Sequence, residues 1–353
     1  MRAAILHKAG SPLEVKEVPA PQLHASSVRV RVLATHILPF TGLVVGGQFP
    51  FPLPTPYTPG LCAIGVIEDV ADDVHSLRIG QKVFCSPLIS SRNNSQAPER
   101  ILKGWFGLTM NSEHLLEQWK DGTFAEVVAY PIECITPVDA IEDYDNAQLA
   151  GMYYLSIAYG ALLRGELIPG QSVLINGATG NLGSASTLVA LAMGASKILA
   201  VGRNRDVLHS LAALDPKRIT AVSLPERVDD YGALFSSEIS GVDLMIDAVG
   251  TMDNSALVEA GLSVLRQNGT AVFLGGVTTN VPLSYLMTLV KELNIKGSFM
   301  YPKSAPSDIV KMIEAGLLNL KVFEPKVYSL NKINDAIAEA SQSRGLEYVI
   351  LQP

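Results

Sequence analysis

Two hydropathy periods divide this chain. Up to about Pro137 apolar and polar positions tend to alternate, the period of a strand with one face on a core. Val28-Arg29-Val30-Arg31-Val32 alternates cleanly, and Ala63 to Val70 and Gln81 to Phe84 read as further strands. Met1 to His7 reads as a strand leading to a turn at Gly10-Ser11-Pro12. Thr41 to Gly60 is rich in Pro and Gly and predicts a loop; Ser90 to Gln96 is polar and predicts a mobile connection. Trp105, Phe106 and Trp119, within Arg100 to Trp119, read as packing aromatics.

From about Asn146 helical and strand periods alternate. Asn146 to Leu163 and Leu182 to Met193 predict helices around the strand Ser172 to Asn176; Ile198 to Val201 predicts the next strand. Ala221 to Leu224, Val242 to Ala248 and Thr270 to Leu274 predict more strands, with a helix over Asn254 to Leu265. Asn294 to Met300 fits a final strand. This alternation predicts an α/β fold with a doubly wound parallel sheet. Two amphipathic helices follow, Ala305 to Ala315 and Ile333 to Ser343, then a strand, Glu347 to Leu351, expected to return to the first domain. The expected domains are residues 1–145 with 302–353, and residues 146–301.

The join between strand and helix at Asn176 to Gly183 carries chemistry. It reads Asn-Gly-Ala-Thr-Gly-Asn-Leu-Gly. Glycines at 177, 180 and 183 let the backbone turn at positive φ and approach phosphates without a Cβ clash. The free N–H groups and dipole of the following helix favour negative charge. Strand, glycine turn, helix and second strand together predict a dinucleotide site involving Gly177, Thr179, Gly180, Asn181, Leu182 and Gly183. The second strand ends in Gly202-Arg203-Asn204-Arg205. An acid there would bind ribose hydroxyls; glycine with arginine suits a 2′-phosphate instead, so NADP(H) is the expected cofactor.

Composition narrows the class. The chain has 353 residues, 48% hydrophobic and 17% charged, enough for a large core and too apolar for disorder. A net charge of −7 without a basic run argues against nucleic acid as partner. The start lacks a signal-peptide core, and no stretch reads as a membrane span. Cys62, Cys85 and Cys134 are far apart and form no CxxC, which suits a reduced, cytoplasmic protein.

These parts together resemble the medium-chain dehydrogenase/reductase superfamily along nearly the whole chain. The matching segments are Val28 to Leu33, Pro59-Gly60, Gly80 to Val83, Gly122 to Glu126, Gly170 to Leu174, the glycine turn, Asp243 to Gly250 and Gly269 to Gly276. The resemblance implies a GroES-like β-rich catalytic domain interrupted by a Rossmann domain, with the site in the cleft between. It also implies contacts to the cofactor from Gly250, Leu274, Gly275 and Gly276, and a homodimer formed through the Rossmann domain, with Val272 to Leu289 as candidate interface. Zinc members of the family place ligands where this chain has Leu38, the Gly60-Leu61-Cys62 stretch that stands for their Gly-His-Glu motif (with Cys62 in place of the Glu), and Tyr153. Leucine cannot ligate a metal, and the 86–120 lobe has no cysteine for a structural zinc, so no metal is expected. The resemblance then points to the zinc-free branch of quinone and enoyl reductases. The Asn and Asp usual there are replaced by Leu38 and Thr41.

The expected reaction is hydride transfer from NADPH to an activated double bond of a small organic substrate, an enone, enal or quinone. A hydroxyl side chain or water would stabilise and protonate the oxyanion. C=N or C=O reduction is the variant; a non-redox cyclase or isomerase on the same scaffold is the alternative. Tyr153 is the first candidate donor. Tyr57 lies in the loop before Pro59-Gly60, His36 ends a strand near the expected site and titrates in the useful range, and Thr41 is placed to bond substrate.

Overall fold

The computed structural model describes residues 1–353 except 94–95, 142, 240 and 251. The expected mobile stretch Ser90 to Gln96 therefore lies partly outside the described residues. A six-stranded parallel sheet runs in the order Ile219–Ser223, Lys197–Gly202, Ser172–Asn176, Val242–Asp247, Leu265–Phe273, Asn294–Gly297. The order reverses between Lys197–Gly202 and Val242–Asp247, the switch point at which ligands bind beyond the carboxyl ends of strands. Val173, Leu174 and Ile175 are wholly buried, since parallel strands are covered on both faces. Each such side chain contributes about 1.5–3 kcal/mol of burial.

The β-rich domain is built on the long strand Ser27–Ile37, which pairs with Ala63–Val70 along one edge. On its other edge Ser27 to Arg31 pair with Val127–Pro131, and Thr35 to Ile37 pair with residues of Glu347–Gln352. The terminal strand thus returns to the first domain as expected. Its parallel partner Glu324–Ser329 escaped the sequence reading, because its half-exposed alternation is short and interrupted by Pro325.

Two other differences have local causes. The helix expected over Asn146 to Leu163 is two helices, Asn146–Leu149 and Met152–Arg164. The Phe323 ring presses against Gly151 at the break; a Cβ there would lie 2.6 Å from it. The expected loop from Thr41 opens with a one-turn helix, Thr41–Val45, which ends at Gly46 and Gly47. The helix Met152–Arg164 packs against Asn181–Ala192 and Ala305–Glu314, carrying its N-terminal tyrosines to the junction of the two domains.

Candidate active site

The glycine turn is defined by contact limits. Gly177 has φ +74°, and a Cβ on it would lie 3.0 Å from the Ala248 backbone. A Cβ on Gly183 would lie 2.1 Å from the Gly177 carbonyl oxygen, so only glycine brings the helix this close. Gly180 is different: its Cβ would meet nothing nearer than 3.5 Å, which leaves that face open. No side chain caps the helix Asn181–Ala192, so its first-turn N–H groups lack a capping acceptor. The site residues at the neighbouring strand ends converge here. Leu274 and Gly275 N–H groups donate to the Asp247 carbonyl, and Gly276 N–H to that of Val249. A Cβ on Gly275 would lie 2.1 Å from the Val249 oxygen, whereas one on Gly250 would meet open space.

Asn181 and Thr179 have second duties. Asn181 Nδ2 donates to the carbonyls of Gly345 (3.1 Å) and Glu347 (2.8 Å), and Gly345 N–H donates to Thr179 O. The Asn181 side chain is thereby committed to the C-terminal segment, leaving its backbone N–H for a ligand. The Thr179 side chain occupies the space beside Gly202, where a Cβ would come within 2.4 Å of it.

Beyond Gly202, Arg203 and Arg205 line a cavity of about 800 Å³ with Ser223, Tyr231 and Asn254. Neither arginine has a carboxylate partner among the described residues. Asn204 caps the helix Arg205–Leu214, its Oδ1 accepting from the N–H groups of Asp206 and Val207. Under the turn, Asp247 is nearly enclosed; Asn176 Nδ2 donates to it at 3.4 Å, and Asn176 Oδ1 is buried without a partner. Burial raises the Asp247 carboxyl to about 7.

The domain junction is an aromatic, largely apolar cluster. Leu38, Cys62 and Tyr153 share one apolar core cluster with Leu61, Trp105 and Phe106. Burial pushes the Cys62 thiol up to about 12, so it is neutral. The Tyr153 phenol is also held well above its ordinary value by burial, and its hydroxyl has no hydrogen-bond partner among the described residues. His36 contacts Tyr153, Tyr154 and Tyr348 at ring-centroid distances of 6.2, 4.9 and 4.6 Å. Sequence reasoning expects His36 to titrate near neutrality; desolvation instead lowers it to about 3, and it stays a neutral imidazole. Among the described residues no group of three or more His, Cys, Asp or Glu side chains is placed to hold a metal.

Thr41 stays beside Leu38, its N–H donating to the Leu38 carbonyl at 2.9 Å, whereas Tyr57 lies elsewhere in the β-rich domain. Tyr57 packs with Leu6, Val45 and Phe124, its hydroxyl buried without a partner. It lines a separate cavity of about 460 Å³ with Trp119 and Lys103, a cavity that touches neither Tyr153 nor the glycine turn. Thr41 is buried at the start of its one-turn helix. The 86–120 lobe is organised around Lys103, whose ammonium donates to the carbonyls of Trp119 (3.2 Å) and Asp121 (2.5 Å) beneath the Trp119 and Tyr130 rings. Gly104 and Gly122 close on the Gly60 carbonyl, each leaving about 2 Å for a Cβ, and so fix the backbone that leads to Cys62.

Sequence reasoning missed Tyr301 and Ser86. They stand just past the strands Asn294–Gly297 and Lys82–Cys85, and their hydroxyl oxygens are 2.9 Å apart. The only signal was a tyrosine directly after an expected strand end; the partner lies 215 residues away.

A β-rich domain clasping a doubly wound sheet, with an uncapped glycine turn at the switch point, is the architecture of a nicotinamide-dependent oxidoreductase. Residues 24–140 match the family described as alcohol dehydrogenase GroES-like domain, and residues 182–315 that described as zinc-binding dehydrogenase. The chain belongs to the medium-chain dehydrogenase/reductase superfamily, and it is an oxidoreductase of that nicotinamide-using group. It is 29% identical over 296 residues to the probable D-xylulose reductase A of Aspergillus niger, covering 81% of this chain and 78% of that one. The D-xylulose reductase A of Aspergillus oryzae is 27% identical over 292 residues, with the same coverage. Among solved structures, a Sinorhizobium meliloti protein bound to NADP superposes with a TM-score of 0.81 at 20% identity, covering 100% of this chain and 99% of that one. An Escherichia coli alcohol dehydrogenase complexed with NADH gives 0.81 at 18%, with the same coverage. Those two likenesses concern the fold.

Proposed function

We propose that this chain is a zinc-independent, NADPH-dependent reductase that delivers hydride to an activated double bond of a small organic substrate, an enone, enal or quinone. The observation that carries the reading is the filling of the three metal-ligand positions by Leu38, the Gly60-Leu61-Cys62 stretch (with Leu61 in place of the histidine and a neutral Cys62 beside it) and Tyr153, whose apolar side chains share one core cluster. Zinc is bound by nitrogen, sulfur or oxygen ligands, usually four, and this set does not fit it. Without a Lewis acid, a conjugated C=C is the easier acceptor, because its charge ends on an oxygen that hydrogen bonds can hold.

The reduced nicotinamide supplies the hydride when bound. The turn from Gly177 to Gly183 offers its N–H groups to the pyrophosphate, and the Tyr153 hydroxyl donates to the developing oxyanion. The apolar cluster keeps water from competing for that bond. Arg203 and Arg205, uncommitted at the end of the second strand, suit a 2′-phosphate.

The fungal relatives favour a second reading, reduction of a ketose carbonyl. A polyhydroxylated substrate needs buried groups that bond its hydroxyls, and Leu38, Leu61, Trp105 and Phe106 supply little of that kind. NADPH oxidation with a panel of enones, quinones, imines, aldehydes and ketoses decides. Turnover confined to enones or quinones supports the proposal, and preferred ketose turnover replaces it. Cofactor binding without any oxidation moves the assignment to a cyclase or isomerase.

For the partner we assign a second copy of this chain. The strand Asn294–Gly297 ends the parallel sheet, and the adjacent helix Tyr285–Lys291 buries none of its residues. Tyr285, Leu286, Leu289 and Val290 are exposed beside that open edge. An unpaired edge flanked by apolar side chains suits an isologous pairing across a two-fold axis. Light scattering is expected to give a dimer, and Leu286→Asp with Val290→Asp a monomer; a monomeric wild type at micromolar concentration overturns the assignment. No helix among the described residues is long and apolar enough to cross a membrane, and the three buried free thiols suit a reducing, cytoplasmic setting.

A further inference from the structure

Four tyrosines, Tyr153, Tyr154, Tyr301 and Tyr348, crowd the buried junction of the two domains. Among the described residues only Tyr301 has a hydrogen-bond partner for its hydroxyl, Ser86 Oγ at 2.9 Å. Both residues are more than nine-tenths buried. The pair joins the β-rich domain to the cofactor domain, with Tyr301 in the core cluster that also holds Cys62 and Tyr153.

Local structure fixes Tyr301 there. Met300 has φ +58°, a conformation that side-chain-bearing residues rarely adopt and that is held only where its surroundings enforce it. Gly160 provides the notch: a Cβ on it would lie 2.7 Å from the Met300 oxygen and 2.8 Å from Tyr301 Cβ. Gly160 lies two turns along the helix Met152–Arg164 from Tyr153, on the same face. One helix therefore presents Tyr153 and seats Tyr301.

A buried group that gives up a proton leaves an anion, and that anion needs a donor. A Tyr153 anion has none among the side chains described. A Tyr301 anion keeps the Ser86 hydroxyl, whose hydrogen can turn toward it; that bond works against the burial that raises the phenol. We propose that Tyr301, with Ser86 as its positioning residue, is the proton donor to the substrate oxyanion, while Tyr153 orients the carbonyl oxygen. The proposal rests on the reductase reading. Hydride addition at the β-carbon moves the C=C π pair toward the carbonyl oxygen. The Tyr301 O–H bond breaks, its electron pair stays on the phenolic oxygen, and the proton passes to the enolate. Ser86 stabilises the tyrosinate until a solvent proton refills it.

The experiment has two arms. In the first, 4-nitrophenolate, a stable oxyanion, is titrated into the full chain saturated with NADP⁺. Tyr301→Phe is expected to weaken its binding about tenfold, the loss of one charge-assisted hydrogen bond. In the second, with the best acceptor found, Tyr301→Phe is expected to slow hydride transfer about 100-fold. It should also abolish the solvent deuterium isotope effect and leave NADPH affinity unchanged. Ser86→Ala is expected to slow hydride transfer about tenfold while NADPH affinity and the melting temperature stay near wild type, and Ser86→Thr, which keeps the hydroxyl, to restore most of the rate; loss of a merely structural bond would lower stability instead. Wild-type phenolate binding and turnover in Tyr301→Phe, with the losses falling on Tyr153→Phe, overturns the proposal. A wild type that holds phenolate through Tyr301 yet oxidises NADPH with no acceptor overturns the donor role too, and the phenolate arm assigns that failure to the reductase reading.

Discussion

At the carboxyl ends of the parallel strands, the turn from Gly177 to Gly183 presents bare backbone. At the domain junction, Tyr153, Tyr301 and Ser86 present hydroxyl side chains. The first site is specified by what must be missing, a Cβ at Gly177, Gly183 and Gly275. The second is specified by hydroxyls that burial keeps protonated. A site built from absent atoms is intolerant of additions, whereas one built from hydroxyls survives subtraction structurally and fails chemically.

The sharpest test of that contrast is Gly183→Val. Its Cβ would lie 2.1 Å from the Gly177 oxygen, so a loss of about 3 kcal/mol in stability, or failure to fold, is expected from thermal melts. Gly180→Ala, on the open face, is expected to melt near wild type and lose NADPH affinity; equal melting losses in both variants would break the distinction.

Tyr153→Phe comes next. It should keep the fold and NADPH affinity while lowering kcat by about 10- to 100-fold, the range for one oxyanion donor. A matching fall in thermal stability would mean that the junction is structural.

Arg203→Ala is expected to weaken NADPH binding about tenfold and leave NADH binding unchanged, as fluorescence titration with both cofactors would reveal. Equal losses for the two would remove the 2′-phosphate from the account.

The smallest effect is on pH dependence. Burial raises Asp247 from an ordinary 3.8 to about 7, so between those values the folded chain binds a proton that the unfolded chain does not. Stability should therefore fall as pH rises from about 4 to about 7, then level off. Asp247→Asn, which cannot ionise, is expected to flatten that slope in denaturant midpoints measured across the range.

The two regions also differed in how far they could be read beforehand. The sheet, its switch point and the turn were legible because each rests on local pattern: apolar runs at 173–175, glycines spaced by three, and a helical run beginning at 182, one residue past its start at Asn181 in the structure. The return of residues 347–352 to the first domain was legible from its position after two amphipathic helices. The junction was not. Ser86 and Tyr301 meet across 215 positions, and no local pattern marks either. His36 looked titratable because its sequence neighbours are ordinary; only packing against Tyr154 and Tyr348 removes its charge. Asn181 lies within the glycine motif, yet its amide is turned to Gly345 and Glu347.

The pairing of Thr35 to Ile37 with Val349 to Leu351 has a consequence for biosynthesis. A ribosome makes the long strand Ser27–Ile37 early, but part of its edge has no partner until more than three hundred further residues have been added. The cofactor domain, whose strands pair with neighbours made within the same stretch, is complete sooner. Nascent chains should thus carry a finished nucleotide-binding half beside an open β-edge, the species from which aggregation starts and on which a chaperone would act.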